Sequence, residues 1–407
     1  MSRGDSRIKL TALLLLNIVS CSALAEEVGI LGVFQALYAN TRGSFNDETP
    51  RPPCYPLIQS YCAKDKLMTT RISFYSDSAQ PAGSELSISI PAAPRQFTLV
   101  HEDGQTTRSA SIVLQAVGGK VSYPLLRGES IEKSISSYWE GGDFSKSIAP
   151  CTHRDKPVYQ NNALAFYWRI QQGSGECKKN SARAIEGLRV EDVFFVASVT
   201  TPDPLKMKYG DYRGRVRYSV GTTGSDIAFS FGNGGGRVND TELVLNYLLR
   251  VEPFFRVEVP AGGNRVELAP LEGWQRWLHH RRAPTRLLRN QTFNLWSNGN
   301  FTMSLDCPLR LGNNCALQSD GQPGHLVPLN VAVTLPGNFA DQSGKRVINR
   351  ALSVDVTPSD TFKPDIYLER APGSLLFEVQ KDAVDEMVRS AGSQYRGTVI
   401  VLWESAL

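Results

Sequence analysis

Apolar and polar residues alternate through most of this chain in short runs set apart by Gly, Pro, Asn and Asp. A period of two marks strands with one face buried. In the first half the runs are 85–90, 97–100, 110–115, 163–170, 193–199 and 214–220. The last alternates strictly, with Val216, Tyr218 and Val220 on one side and Arg215, Arg217 and Ser219 on the other, as a half-wet strand requires. In the second half, 241–251, 254–259, 292–297, 301–307, 327–335, 351–356, 375–379 and 397–403 follow at the density of an immunoglobulin-like sandwich. Val384, Met387, Val388 and Ala391 recur at helical spacing and predict a short helix ahead of the final strand.

The N-terminal pattern is different. A basic start (Arg3, Arg7, Lys9), an apolar run from Leu10 to Val19 and the small-x-small site Ala23-Leu24-Ala25 read as a secretory signal peptide over 1–25, with maturation at Glu26. The run is too short for a membrane span. A rival processing site is Ile18-Val19-Ser20-Cys21, which has the form of a lipoprotein box. Between Ser230 and Asp240 the text turns Gly-rich, which predicts a linker over 232–240 between domains at 26–231 and 241–407. A phosphate-cradling loop there lacks both the Lys-Ser/Thr and the strand-to-helix setting.

Either processing route leaves six cysteines, an even number in an exported chain. Each has one near neighbour in sequence, so the expected pairs are Cys54 with Cys62, Cys151 with Cys177, and Cys307 with Cys315. A metal cluster is disfavoured: there is no C-x-x-C, and none of the five His stands at ligand spacing beside a cysteine.

The chain has 407 residues with 44 Lys+Arg against 40 Asp+Glu, and part of that excess sits in the leader. A near-neutral mature protein carries no nucleic-acid footprint. No G-x-S-x-G or H-E-x-x-H occurs, and Ser130-Ile-Glu-Lys133 matches S-x-x-K without its companion motifs. A carboxylate pair of the glycosidase kind need only meet in space; otherwise no catalytic residue, cofactor or metal is indicated, and a non-enzyme is expected. The densest basic-aromatic stretch, Trp274-Gln-Arg-Trp-Leu-His-His-Arg-Arg282 continuing to Arg286 and Arg289, suits stacking on acidic glycans or plain surface packing, and packing is the expectation.

The order of features resembles one family. A leader precedes a β domain whose closing strand is introduced by Tyr209-Gly-Asp-Tyr212; then come a linker, a strand around Val244 to Arg250, and the C-terminal run Ser393-Gln-Tyr-Arg-Gly-Thr-Val-Ile-Val401. This resembles the tip adhesins and biogenesis initiators of alternate-chaperone (class 5) fimbriae, of the cable-pilus and colonisation-factor type. The resemblance implies an all-β fold of two immunoglobulin-like sandwiches, an adhesin domain and an incomplete pilin domain completed by a donated strand. It implies adhesion to a host-surface glycan or glycoprotein and initiation of pilus assembly at the fimbrial tip. The partners it implies are a periplasmic chaperone, an outer-membrane usher and the N-terminal strand of a major pilin. Receptor contact is expected near Lys206, Lys208 and Arg213; family members carry an arginine shortly before the Tyr-Gly-x-Tyr match, where this chain has Lys206 and Lys208, and lysine lacks the bidentate fork. Val399, Val401 and Trp403 are expected at the strand-accepting groove, on a run buried on both faces. The competing expectation is a secreted or periplasmic carbohydrate-binding or carbohydrate-active protein without a pilus.

Overall fold

The computed structural model describes residues 25–35, 43–51, 54–62, 65–91, 93–153, 158–171, 175–232, 235–280, 283–355, 360–364, 367–389 and 392–405. The leader up to Leu24, with Cys21, lies outside them, as do Arg281, Arg282 and Ala391. Among the described residues the chain is all-β and builds two large hydrophobic cores and one smaller one.

The first unit is a strongly curled sheet of sixteen strands. Its main members are β1 (Ala25–Phe34), β2 (Glu85–Ser89), β3 (Arg95–His101), β4 (Thr107–Ser122), β5 (Ala163–Arg169), β6 (Glu176–Asn180), β7 (Arg189–Thr200), β8 (Gly210–Gly221), β9 (Ile227–Ser230) and β10 (Glu242–Val251). The sixteen-residue β4 carries two neighbours along one edge, β3 beside its first half and β5 beside its second. Gly118 and Gly119 sit in that second half. A Cβ on Gly118 would collide with the Phe194 ring and the Phe166 carbonyl, so glycine is what lets β7 and β5 close in. Opposite, the β7 register shifts between Glu191 and Phe194, a bulge with Asp192 at φ 52°.

Strand β5 is buried on both faces. Leu164, Phe166 and Trp168 point into the main core, while Ala163, Ala165 and Tyr167 meet Leu57, Ile58 and Tyr61 of the short helical turn at 56–62. The Cys54–Cys62 bond closes that turn. Cys151–Cys177 ties β6 to the loop that follows helix α1 (Ile131–Ser137), and all three expected pairs are present. The Ser130–Lys133 match has a structural explanation: Ser130 is the N-cap of α1, its Oγ accepting from the Lys133 amide at 3.3 Å.

The second unit packs two sheets around its own core. One runs in the order β11 (Phe255–Glu258), β12 (Leu287–Ser297), β18 (Leu368–Val379), β15 (Leu326–Thr334), β14 (Asn314–Ser319). The other has four strands in the order β16 (Phe339–Asp341), β17 (Thr361–Pro364), β13 (Phe301–Asp306), β19 (Ile400–Ser405). Cys307–Cys315 links them, since Cys307 follows β13 and Cys315 lies on β14. The helix expected from the 384–388 spacing is present at Lys381–Arg389, with Ala383 and Val384 buried. A six-residue helix, Gln275–His280, occupies the basic-aromatic stretch, where Trp274 is half-exposed.

The expected division at 232–240 is corrected by the pairing of β10. That strand hydrogen-bonds along β8 and β1, and Leu243, Leu245, Tyr247, Leu249 and Val251 enter the first core. The Gly-rich segment does not leave the first unit. Phe231 is buried, Gly236 lies against its ring, and Gly236–Val238 pairs with Phe74–Ser76. Glycine serves close approach there rather than flexibility. The chain crosses between cores at Glu252, Pro253 and Phe254, where buried Asn298 holds it: its Nδ2 donates to the Glu252 carbonyl at 2.9 Å and its Oδ1 accepts from the Phe254 amide at 2.6 Å.

Candidate functional site

The three basic residues singled out from sequence lie at one end of the first unit, and that end faces the crossing to the second. Lys206 ends the turn Pro204–Lys206 and is 3.9 Å from Asp203, while its carbonyl accepts from Arg108. Lys208 reaches Thr106 Oγ1 at 3.3 Å and Asp103 at 3.6 Å. Arg213, on β8, points outward and is 3.4 Å from Asp211. Tyr209, between them, lies beside Gly299 of the second unit.

These cations meet carboxylates already held ionised. Amides of Thr106 and Gln105 donate to Asp103, with further hydrogen bonds from Thr106 and His101, and its carboxyl stays well below the usual range. Hydrogen bonds from Arg250 hold Asp211 low in the same way. Nearly buried His101 is 2.9 Å from the Tyr209 carbonyl and 3.0 Å from Asp103, with its ring against Tyr212. The arrangement fixes the Tyr209–Tyr212 entry into β8 and spends much of the basic charge internally.

The second candidate is the seam between the sheets of the second unit. Among the described residues strand β19 pairs only with β13, antiparallel, from Phe301↔Ser405 to Asp306↔Ile400. On the other sheet β11 pairs, among the described residues, only with β12. Both are outermost strands, and Trp403 of one lies 5.9 Å from Phe255 of the other. Trp403 also contacts Phe293 at 5.1 Å and Phe301 at 5.7 Å, an offset aromatic cluster of the kind that stabilises beyond its buried area.

Val399, Val401 and Trp403 therefore come together, half-buried on the second core. The expectation that both faces of this run are buried is corrected: Ile400 and Leu402 are 47% and 38% exposed. The reason is position. An edge strand has the core under one face and nothing layered on the other. Sequence did not point to the opposite lip of the seam, Phe255 and Phe293; 254–259 reads as an ordinary strand, and only the sheet order makes it an edge.

Among the described residues no group of three His, Cys, Asp or Glu could hold a metal ion, and no helix is long and apolar enough to cross a membrane. No protein-family model and no curated protein matches the sequence. Among solved structures the chain is similar to a chaperone–tip adhesin complex described as vital for synergistic activation of CFA/I fimbriae biogenesis, at 11% identity, covering 83% of this chain and 84% of that one, with a TM-score of 0.25. It is also similar to the CsuC–CsuE chaperone–tip adhesion subunit pre-assembly complex from archaic chaperone-usher Csu pili of Acinetobacter baumannii, at 10% identity, 82% and 84% coverage and a TM-score of 0.25.

Proposed function

We propose that the chain is a tip subunit of a chaperone–usher fimbria: an exported two-unit protein whose second unit accepts a donated β-strand and whose first unit carries the adhesive surface. The observation that carries this reading is the open edge of β19. It exposes Ile400 and Leu402, lacks a second ladder partner among the described residues, and faces β11, itself an edge, across an aromatic seam. Such an edge templates pairing with another chain, so proteins ordinarily blunt or cover it. Strand addition from a partner covers it through main-chain hydrogen bonds, with alternate side chains filling the groove. In this reading a periplasmic chaperone supplies the strand first and the N-terminal extension of a major pilin replaces it at the usher. The first unit then meets a host-surface glycoconjugate, and the chain starts the pilus.

The test compares the full chain with the same chain extended, through a flexible linker, by the N-terminal strand of the major pilin. Amide hydrogen exchange over 255–258 and 400–405 is expected to slow markedly in the extended protein, and aggregation of the unextended one to cease. Val399→Asp with Val401→Asp is expected to abolish both effects. An unextended chain that is monomeric, unfolds cooperatively and already protects these amides overturns the reading and favours a secreted carbohydrate-binding protein without a pilus.

A further inference from the structure

Strands β11 and β12 are antiparallel neighbours, a pairing that about two to five residues ordinarily connect. Here the connection runs over 259–286 and contains the basic-aromatic stretch. Within it Ala269 and Pro270 pair with Leu288 and Leu287 at the start of β12. The chain then reverses, the Gly273 amide donating to the Pro270 carbonyl at 2.9 Å with Gly273 at φ 73°. Leu271 takes the first apex position of that turn and is 64% exposed, and Trp274, one residue past it, is 46% exposed. Every other tryptophan is buried or half-buried. One exposed leucine is ordinary, but a leucine and a tryptophan on one turn of a long insertion make an apolar tip that packing does not explain.

The same stretch holds the charge. Over 259–289 the sequence has six Arg and two Glu, against 44 Lys+Arg and 40 Asp+Glu in the whole chain, so the entire formal excess of the protein lies here. Arg286, opposite Leu271 when the register is continued, is 3.3 Å from Glu378. Arg265 and Arg289 are exposed. Strand β12 leads from this end to Ser297, next to Asn298 at the crossing between units. The tip therefore stands about 33 Å along the strand from that crossing, clear of the first unit.

Projecting apolar side chains backed by cations match the boundary of an anionic bilayer. An indole settles at headgroup level, a leucine beside it adds apolar area to bury, and arginines behind them reach the phosphates. A soluble polyanion would use the arginines and the indole but leaves Leu271 without a role. We infer that the turn carrying Leu271 and Trp274 is a membrane-contact site, and that its partner is a bilayer containing anionic phospholipid. The inference depends neither on the strand-accepting seam nor on the adhesive surface of the first unit.

Vesicle flotation of the full chain tests it, since aggregates stay at the bottom of the gradient. The chain is expected to float with phosphatidylcholine–phosphatidylglycerol vesicles, not with phosphatidylcholine alone, and less at high salt. Leu271→Ser with Trp274→Ser should abolish flotation at an unchanged melting temperature, because both side chains stand outside the cores. Arg289→Ala should weaken binding about fivefold, the worth of one cation at an anionic surface. Brominated phosphatidylcholine in the same vesicles should quench tryptophan fluorescence, and Trp274→Phe should still float while losing most of that quenching. A chain that does not float with anionic vesicles overturns the inference. Flotation that is unchanged by the double serine substitution but lost to soluble heparin overturns it in favour of a polyanion site on the arginines. The strand-accepting reading is decided separately by the amide exchange above.

Discussion

Strand β1 lies along β10 for ten residues in parallel register, from Ala25↔Glu242 to Phe34↔Val251, with Val28 and Ile30 resting on the first core. Strand β19, at the other end of the chain, has β13 on one side and no ladder partner on the other among the described residues. The first unit thus draws a covering strand for β10 from its own N-terminus, and the second leaves its terminal strand open. Both units carry aromatic cores and disulfides, so core composition does not separate them. Edge satisfaction does, and the first unit is expected to hold its stability alone while the second depends on what is added.

The largest expected effect tests that independence. Trp168 is fully buried, with its ring 4.6 Å from Phe144 and its indole donating to the Ser145 carbonyl at 3.1 Å. Trp168→Ala should cost the first unit about 3–5 kcal/mol, the range for emptying a large aromatic site. In calorimetry of the full chain the loss should be confined to one transition and be equal with and without an added pilin strand. A loss that changes with the strand would show that the two cores unfold as one.

The same contrast explains what could be read from sequence. The strict alternation of 214–220 located β8 and its faces, because a period of two encodes burial directly. Near-neighbour cysteines located the disulfides for a similarly local reason. The boundary failed because glycine has two uses, freedom and close approach, and composition does not tell Gly236 against Phe231 from a flexible tether. Strand β1 was missed because its sequence abuts the leader, and its parallel partner lies more than two hundred residues away. The seam was half legible: Val399, Val401 and Trp403 announce a strand, but edge or centre is decided by sheet order, which no local pattern carries.

Acid should separate the units by a smaller margin. In the first unit Asp47, Asp103, Asp211 and Asp226 all titrate below their ordinary value; in the second Asp341 does, held by hydrogen bonds from Ser343 and Lys345. A carboxyl whose folded pKa is depressed contributes stability that is present above the unfolded value, near 3.9, and is lost as pH falls through the folded one. Asp240, pushed up by burial, acts in the opposite sense, one group against four. The first transition should therefore fall more steeply than the second between about pH 4 and pH 2, and Asp211→Asn should flatten it. Parallel acid slopes, followed by circular dichroism melts, would remove this distinction.

The smallest expected effect concerns the basic trio, and it decides which of its members meets a receptor. Lys206 has a side chain 80% exposed and a 3.9 Å contact to Asp203, an arrangement whose typical contribution to stability is below about 1 kcal/mol. Lys208 is occupied by Asp103 and Thr106 beside the crossing to the second unit, where a bulky glycan meets Tyr209 and the neighbouring strands. Arg213 instead stands in a groove on the outer face of the sheet, with Thr98, Val100 and Asn246. Lys206→Glu with Lys208→Glu should leave both the melting temperature and cell adherence nearly unchanged, whereas Arg213→Glu should reduce adherence about tenfold at an unchanged melting temperature, as loss of one charged hydrogen bond does. Adherence assays of purified variants on receptor-bearing cells separate the two. A loss with the lysine pair and none with Arg213 would place the receptor surface at the lysines rather than along that groove.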